Sequence, residues 1–221
     1  MSSAGRSLHQ AADSAKANRA AKNANSYGKL VGAVVTGISG PSQAEKAYEA
    51  GAVGEEKVGA ALDKAAKKAG GVVLHSRLPY RGATRGDIDH IVILASGVWV
   101  VDAKNYRNAH IHFVKHSNRT DALWVGKRNS ERLIEGVLTA RQRVRDVLTN
   151  QLQQQVTVEG ALCFLSADGL GFSGSRHHRG VLITKKSRVG RKLLSGDAEL
   201  SRQQVQRVET ILSAAFPPVS C

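Results

Sequence analysis

The chain has 221 residues and a formal net charge of +14, from 32 Lys and Arg against 18 Asp and Glu. Hydrophobic residues make up 42% and charged residues 23%, which is typical of a globular protein and excludes a largely disordered one. Two cysteines exclude a disulfide framework and a four-cysteine zinc site, and no window approaches the roughly 18 apolar residues of a membrane span, so we expect a cytoplasmic protein.

Residues 1–45 form a basic extension rich in Ala and Ser, with almost no large apolar side chain before Leu30. Such a segment buries too little surface to offset the entropy of ordering it, although Ala and Lys favour helices. We therefore expect this extension to be flexible or helical. The Gly-Ile-Ser-Gly-Pro run at 37–41 predicts a linker, and 46–221 is predicted to be the folded domain.

From residue 46 onwards the hydrophobic pattern predicts helices that alternate with strands. Val53, Val58 and Leu62 share one face of a first helix, which Gly70 and Gly71 end. The predicted helices cover 47–69, 130–152 and 201–215. The predicted strands cover 71–75, 87–94, 97–103, 110–114, 122–125, 156–166 and 180–184. This order predicts an α/β fold, with helices packed against a mixed sheet.

The second and third predicted strands flank Ser96-Gly97 and predict a β-hairpin. A two-residue turn at Ser96-Gly97 sets Asp89 opposite Lys104. Because side chains alternate along a strand, Asp89, Asp102 and Lys104 are then expected to project from one face. A different turn length would change this arrangement.

Two carboxylates and a lysine are costly on a buried sheet unless something pairs them. One interpretation is a plain Asp–Lys salt bridge at a sheet edge. The other is a site for Mg²⁺ or Mn²⁺, which prefer oxygen ligands, keep several waters and share their shell with a substrate phosphate. A lysine beside such an ion can stabilise charge on a phosphate oxygen or position the attacking water.

Three motifs carry a resemblance to a known family. They are Gly-Asp-Ile-Asp-His-Ile at 86–91, Asp-Ala-Lys-Asn-Tyr at 102–106, and Gly54-Glu55 in the preceding helix. Together they resemble the nuclease-related domain (NERD) family of the PD-(D/E)XK nuclease superfamily, over about residues 46–216. The resemblance implies a nuclease-like mixed β-sheet flanked by α-helices and hydrolysis of DNA phosphodiesters with Mg²⁺ or Mn²⁺. A non-catalytic DNA-binding module with the same fold is the alternative, and a homodimer is left open because many superfamily members dimerise.

The resemblance also implies the site residues. Asp89 matches a metal-binding aspartate, although the proline that precedes it in the superfamily motif is absent here. Asp102 and Lys104 match the acid and the lysine of the (D/E)-x-K motif, and Asp102 is expected to hold the metal together with Asp89. Glu55 matches a helix glutamate that contributes to the metal site or positions water. Gln142 stands where relatives carry a helix glutamine close to the site.

Basic residues are unevenly distributed, and the segment 169–196 carries seven of them without a single acid. Such runs can line a groove for a phosphate backbone, and a solvated cationic surface is the alternative. The residues expected to contact nucleic acid are Arg85, Arg107, Arg176, Arg179, Lys185, Lys186 and Arg188. Phe, Trp and Tyr total only 5%, so we expect no aromatic platform for single strands and little base readout.

Four further residue positions have a structural interpretation. Asp87 follows a glycine and is expected to cap or turn the strand entry. His90 falls on the face opposite Asp89 and is expected to pack in the core. Cys163 is expected to be a small buried hydrophobe. His177-His178 is expected to lie in a solvated basic loop.

Overall fold

The structure is a computed structural model that describes residues 5–27, 42–83, 87–106, 109–116, 119–171 and 174–219. The predicted linker at 37–41 and two of the predicted DNA contacts, Arg85 and Arg107, lie outside the described residues. No helix in the described part of the chain is both long and apolar enough to cross a bilayer.

The described elements form runs of helices and runs of strands along the chain. The helices are α1 (Arg6–Tyr27), α2 (Gln43–Ala69), α3 (Glu131–Gln151), α4 (Lys186–Leu193) and α5 (Arg202–Ala215). The strands are β1 (Val72–Arg77), β2 (Ile88–Leu94), β3 (Gly97–Lys104), β4 (Ala109–His116), β5 (Arg119–Val125), β6 (Arg128–Asn129), β7 (Val158–Phe164), β8 (Ala167–Asp168), β9 (Ser175–His178) and β10 (Val181–Lys185).

The main sheet has six strands in the order β1-β2-β3-β7-β10-β9. Strands β1, β2 and β3 form an antiparallel meander, whereas β3, β7 and β10 run parallel. Strand β9 closes the far edge antiparallel to β10. A second sheet of four strands has the order β6-β5-β4-β8. The predicted α/β fold with a mixed sheet is therefore confirmed.

Helices cover both faces of the main sheet, as the apolar alternation along its strands requires. On one face, Ile91 and Val100 pack with Val144 of α3 and Leu212 of α5. On the other face, Val92 and Val101 pack with side chains of α2 and α4, among them Leu62 and Val189. The two core layers thus use alternate residues of the same strands.

Helix α2 begins four residues before the predicted start, because a capping box precedes it. Ser42 accepts the backbone N–H of Glu45, and the Glu45 carboxylate accepts the N–H of Ser42. At the other end Gly70 adopts a left-handed conformation with φ of 66°, as predicted for the stop signal. The predicted boundary at residue 45 falls inside this helix, and the division into extension and domain stays a prediction.

Among the described elements of four or more residues in the carboxyl-terminal half, two were not predicted. Helix α4 has only Val189 and Leu193 as buried residues, so its apolar stripe is too narrow to stand out in the sequence. Strand β9 contains His177 and His178, and His178 is buried. The expectation of a solvated loop at His178 was therefore wrong.

The hairpin register differs from the predicted one by two residues. Leu94 pairs with Gly97 and His90 pairs with Val101, so the turn is formed by Ala95 and Ser96. The carbonyl of Ala95 accepts the backbone N–H groups of residues 199 and 200, which removes it from the hairpin ladder. A slip of two residues preserves the alternation of faces but moves Lys104 away from the position opposite Asp89.

Candidate metal centre and nucleic-acid interface

The candidate site lies where β2 and β3 separate. The last ladder pair between them is His90 with Val101. Beyond it, the Asp89 carboxylate accepts the backbone N–H of Ala103 at 2.7 Å. Strand β3 continues beside β7 as far as the pair of Lys104 with Phe164. The side chain of Asp89 thus takes the place of a ladder partner and is fixed at the fork between the strands.

Three carboxylates gather at this fork and are called the acidic cluster below. One oxygen from each of Glu55, Asp87 and Asp89 lies within 4.8 Å of the others. Glu55 is 3% exposed and Asp89 is 8% exposed. Asp87 was predicted only to cap or turn the strand entry, and it is the site residue that the sequence reasoning missed. The period-two spacing of Asp87 and Asp89 along the strand entry was the available signal.

The environment of the acidic cluster disfavours negative charge. Burial, and then the charge of Asp87, raise the pKa of Glu55 to about 7. Burial, and then the charge of Asp102, raise the pKa of Asp89 well above its usual value. Glu55 Oε2 is buried and has no hydrogen-bond partner among the described residues. The acidic cluster offers hard oxygen donors, its carboxylates repel one another, and one of its buried oxygens is unsatisfied. These features together fit a divalent cation such as Mg²⁺ or Mn²⁺.

Asp102 is engaged with the neighbouring lysine. Its Oδ2 lies 2.7 Å from Lys104 Nζ, and Lys104 Nζ also donates to the Ala103 carbonyl at 3.3 Å. Burial lowers the pKa of Lys104, but the charges of Asp102 and Asp89 outweigh it and raise that pKa above its usual value. The structure therefore brings Glu55 and Asp89 together directly, and places Asp102 beside them as the partner of a protonated lysine.

Helix α2 delivers Glu55 to the fork through a close approach to the end of β3. The Asn105 side chain donates to the Ala50 carbonyl at 2.6 Å. A Cβ on Gly54 would lie 2.6 Å from the Asn105 Cβ, so only glycine fits at this contact. Val58 and Leu62, one and two turns further on, anchor the same helix in the core.

Gln142 is exposed on helix α3. Its Nε2 donates to Asp146 Oδ1 at 2.7 Å, one turn along the same helix. This contact is made within the helix surface and involves no residue of the acidic cluster. The catalytic role implied by the resemblance stays a prediction, and we assign Gln142 no part in the mechanism below.

Basic side chains lie at the same edge of the sheet as the acidic cluster. Lys104 and Lys185 both align with Phe164, at the carboxyl ends of three neighbouring parallel strands. Two strand spacings separate their backbones by about 10 Å, and their shared register places both on one face. Lys186 follows immediately as the first residue of α4. These lysines form a cationic edge that runs away from the fork.

Two other predicted nucleic-acid contacts are paired with protein groups. Arg176 lies 4.0 Å from the Phe113 ring centroid and 3.4 Å from Asp121. Arg179 binds the carboxylates of Glu131 and Glu135 at 3.1 and 2.5 Å. Arg176 and Arg179 therefore stabilise the packing of β9 against its neighbours, whereas Lys186 and Arg188 form no ion pair with any described residue.

Two predicted core residues lie behind the site. His90 is fully buried, and its Nδ1 lies 2.9 Å from Nδ1 of His75, whose Nε2 contacts Asp63. Cys163 is also fully buried, and burial raises the pKa of its thiol to about 12. Both expectations are confirmed, and neither side chain is a metal ligand of the acidic cluster.

Comparison with known families gives one match. The family model described as nuclease-related domain, NERD, matches residues 50–165, which is just over half of the 221 residues. Searches among curated proteins and among solved structures gave no significant match. The matched segment contains the acidic cluster, Asp102 and Lys104. The chain therefore belongs to the nuclease-related domain family.

Proposed function

We propose that this protein is a divalent-metal-dependent nuclease that hydrolyses DNA phosphodiester bonds. The observation that carries the proposal is the buried cluster of Glu55, Asp87 and Asp89, with the protonated Lys104 at the same strand end. Carboxylates that repel one another and a half-buried lysine both cost stability, and metal-assisted phosphodiester hydrolysis uses both.

Glu55, Asp87 and Asp89 would hold Mg²⁺ or Mn²⁺, with Asp102 next to them. The bound ion would supply a Lewis acid for the phosphate and would lower the pKa of a coordinated water. The chain itself fixes the ligands. The Ala103 N–H orients Asp89 at 2.7 Å, and the approach of α2 at Gly54 places Glu55.

Lys104 acts as a cation in this proposal. Because its pKa is raised, it stays protonated at neutral pH and does not serve as a general base. Its ammonium group can stabilise negative charge on a phosphate oxygen and can orient a water by donating hydrogen bonds. Asp102 holds the ammonium group in place through the 2.7 Å ion pair.

The cationic edge supplies the contacts to the nucleic-acid backbone. Lys185 lies on the side of the sheet where Lys104 projects, within about 10 Å by strand spacing, and Lys186 follows it as the first residue of α4. Contacts to phosphates position a nucleic acid without reading its sequence. The proposal therefore includes cleavage with little sequence preference.

The test is a plasmid nicking assay with Mg²⁺, with Mn²⁺ and with EDTA. We expect Asp102→Ala and Lys104→Ala each to lower the cleavage rate by about 100-fold or more, because Lys104→Ala removes the cation at the reacting phosphate and Asp102→Ala releases that cation from its ion pair. Matched controls are Asp197→Ala and Lys67→Ala, which change exposed residues outside the site. RNA is offered in parallel to test the choice of polymer.

Equal cutting by the wild type, Asp102→Ala and Lys104→Ala would show that this site does not carry the nuclease activity. Metal-independent DNA binding without cleavage under either cation would instead favour the non-catalytic DNA-binding module. Circular dichroism of each variant separates loss of activity from loss of fold.

A further inference from the structure

The second sheet carries a row of rings on its outer face. Strands β4 and β5 pair with His112 opposite Trp124. The alternate residues Ile111 and Leu123 point inward and belong to a buried core cluster. Because side chains alternate, His110, His112 and Trp124 share the face that points away from this core. We call these three residues the ring row.

The rings lie close enough to form a continuous surface. The centroids of His110 and His112 are 5.9 Å apart with an interplanar angle of 29°, and those of His112 and Trp124 are 6.2 Å apart at 33°. His110 is exposed, and the other two rings are half-buried. The composition could not reveal this surface, because two of its three rings are histidines.

The ring row does little that the fold requires. His112 Nδ1 and Trp124 Nε1 are both buried, and neither has a hydrogen-bond partner among the described residues. Polar ring nitrogens kept for structural reasons are normally hydrogen-bonded when buried. Neither nitrogen secures its ring through a hydrogen bond within the described part of the chain, so these rings would act on a ligand through their faces, which bind by stacking.

The surroundings suit a polyanion with flat, aromatic parts. On the two central strands, the described side chains that share this face besides the rings are Val114 and Ala122, so neither strand places an acid there. Lys127 is exposed at the adjoining turn, and Asn129, the register partner of Trp124, is exposed beside the ring row. Asp168, the register partner of His110, places a carboxylate at one edge of the surface. Because this carboxylate repels phosphates, they would approach from the Trp124 side.

The ring row is also close to the proposed catalytic lysine along the chain. His110 follows Lys104 by six residues, so their Cα atoms are at most about 22 Å apart. A single nucleic-acid strand of a few nucleotides can bridge such a distance. Bases stack on Trp and His rings in many single-strand binding proteins, with little dependence on sequence.

We propose that His110, His112 and Trp124 form a stacking platform for unpaired bases of the nucleic-acid strand that enters the cleavage site. The identity of the ligand rests on the proposed nuclease function. The substrate class is then a nucleic acid with a single-stranded segment next to the cleaved bond, and a fully paired duplex is bound less tightly. This proposal departs from the expectation, drawn from the composition, that the chain has no platform for single strands.

The test measures binding in EDTA, so that it does not depend on cleavage or on the acidic cluster. Fluorescence anisotropy compares the full-length wild type with a labelled DNA single strand, its abasic counterpart and its duplex. The abasic strand keeps every phosphate and lacks only the bases. We expect the single strand to bind about 5- to 100-fold more tightly than the abasic strand.

Variants locate the effect. Trp124→Ala should lose the preference for the base-containing strand while its affinity for the abasic strand stays unchanged. Trp124→Phe should keep most of that preference. Tyr48→Ala removes an exposed ring from helix α2 and is the matched control, with no change expected. An RNA strand of the same sequence shows whether the platform accepts both sugars.

Equal binding of base-containing and abasic strands by the wild type would overturn the proposal, and so would the absence of binding to either. This comparison uses the wild type alone, so it decides the question even if Trp124→Ala does not fold. A preference that persists in folded Trp124→Ala also overturns it. Loss of cleavage in Asp102→Ala with unchanged single-strand binding would separate this platform from the catalytic site.

Discussion

Glu55 shows most directly how the acidic cluster lowers the stability of the fold. The carboxyl group is almost fully buried, and its pKa of about 7 lies above the ordinary value of 4.5. Between these two pH values the folded state holds a proton that the unfolded state has released. The free energy of unfolding therefore falls as the pH rises from 4.5 to 7, and stability is lowest where a metal ligand must be ionised.

We predict that Glu55→Gln stabilises the metal-free protein at pH 8. The amide keeps the shape of the side chain but removes the buried charge, so the free energy of unfolding should rise by up to about 3 kcal/mol. At pH 5, where the folded wild type is already protonated at Glu55, the gain should shrink to less than about 1 kcal/mol. Urea denaturation in EDTA at both pH values measures the difference.

Glu56→Gln is the matched control for this measurement. Glu56 is the next residue on the same helix, is half-exposed and contacts His9 at 3.1 Å. Its replacement should leave the pH dependence unchanged. A Glu55→Gln variant that is as stable as the wild type at both pH values would show that the buried charge carries no penalty. The same variant should also lose DNA cleavage, because it removes a proposed ligand.

At the scale of elements, the site depends on how closely α2 approaches the end of β3. Of the predicted helix face, Val58 and Leu62 are buried on α2 as Glu55 is, whereas Val53 is 38% exposed. The closest backbone approach lies at Gly54, where an added Cβ would overlap the Asn105 Cβ. This distance follows from the packing of two elements and could not be read from the spacing of either one.

We predict that Gly54→Ala destabilises the protein although alanine favours helices. The overlap with Asn105 cannot be relieved by rotating a flexible side chain, and such overpacking costs about 1–3 kcal/mol. Gly136→Ala is the control, since that glycine is exposed on α3 with open space around its Cβ position. Its free energy of unfolding should rise by about 0.5–1 kcal/mol. Denaturation midpoints of the two variants should therefore move in opposite directions.

Alternation along the strands was predictable, whereas the exact pairing was not. The sequence placed Asp89 and Asp102 on the hairpin correctly because side-chain direction has a period of two. The register depends on the Ala95 carbonyl, which accepts N–H groups more than 100 residues further along the chain. Asp87 joins the acidic cluster only because β2 and β3 separate at Asp89, and that separation is a tertiary feature.

At the scale of the whole molecule, the net charge of +14 is not spread uniformly over the surface. The structure separates basic residues that are paired with acids, such as Arg176 and Arg179, from Lys185, Lys186 and Arg188 at the end of β10 and the start of α4. A basic run in the sequence shows where positive charge is available. It does not show which of its side chains are already paired with carboxylates. Only unpaired cations are free to replace counterions around phosphates.

We therefore predict that two arginines of one basic run behave differently in DNA binding. Arg188→Ala should weaken binding to all sequences and should reduce the slope of log K against log salt by about 1, because one phosphate contact is lost. Arg179→Ala should leave that slope unchanged, since its guanidinium already binds Glu131 and Glu135.

Anisotropy titrations in EDTA across a series of salt concentrations measure both slopes. Arg179→Ala should instead lower thermal stability, since it leaves Glu131 with only His178 as an ion-pair partner among the described residues. If Arg179→Ala reduced the salt slope as much as Arg188→Ala, then pairing with carboxylates would not prevent an arginine from contacting the nucleic acid. The sequence-based expectation, in which Arg179 contacts DNA as Arg188 does, would then hold better than the assignment made from the structure.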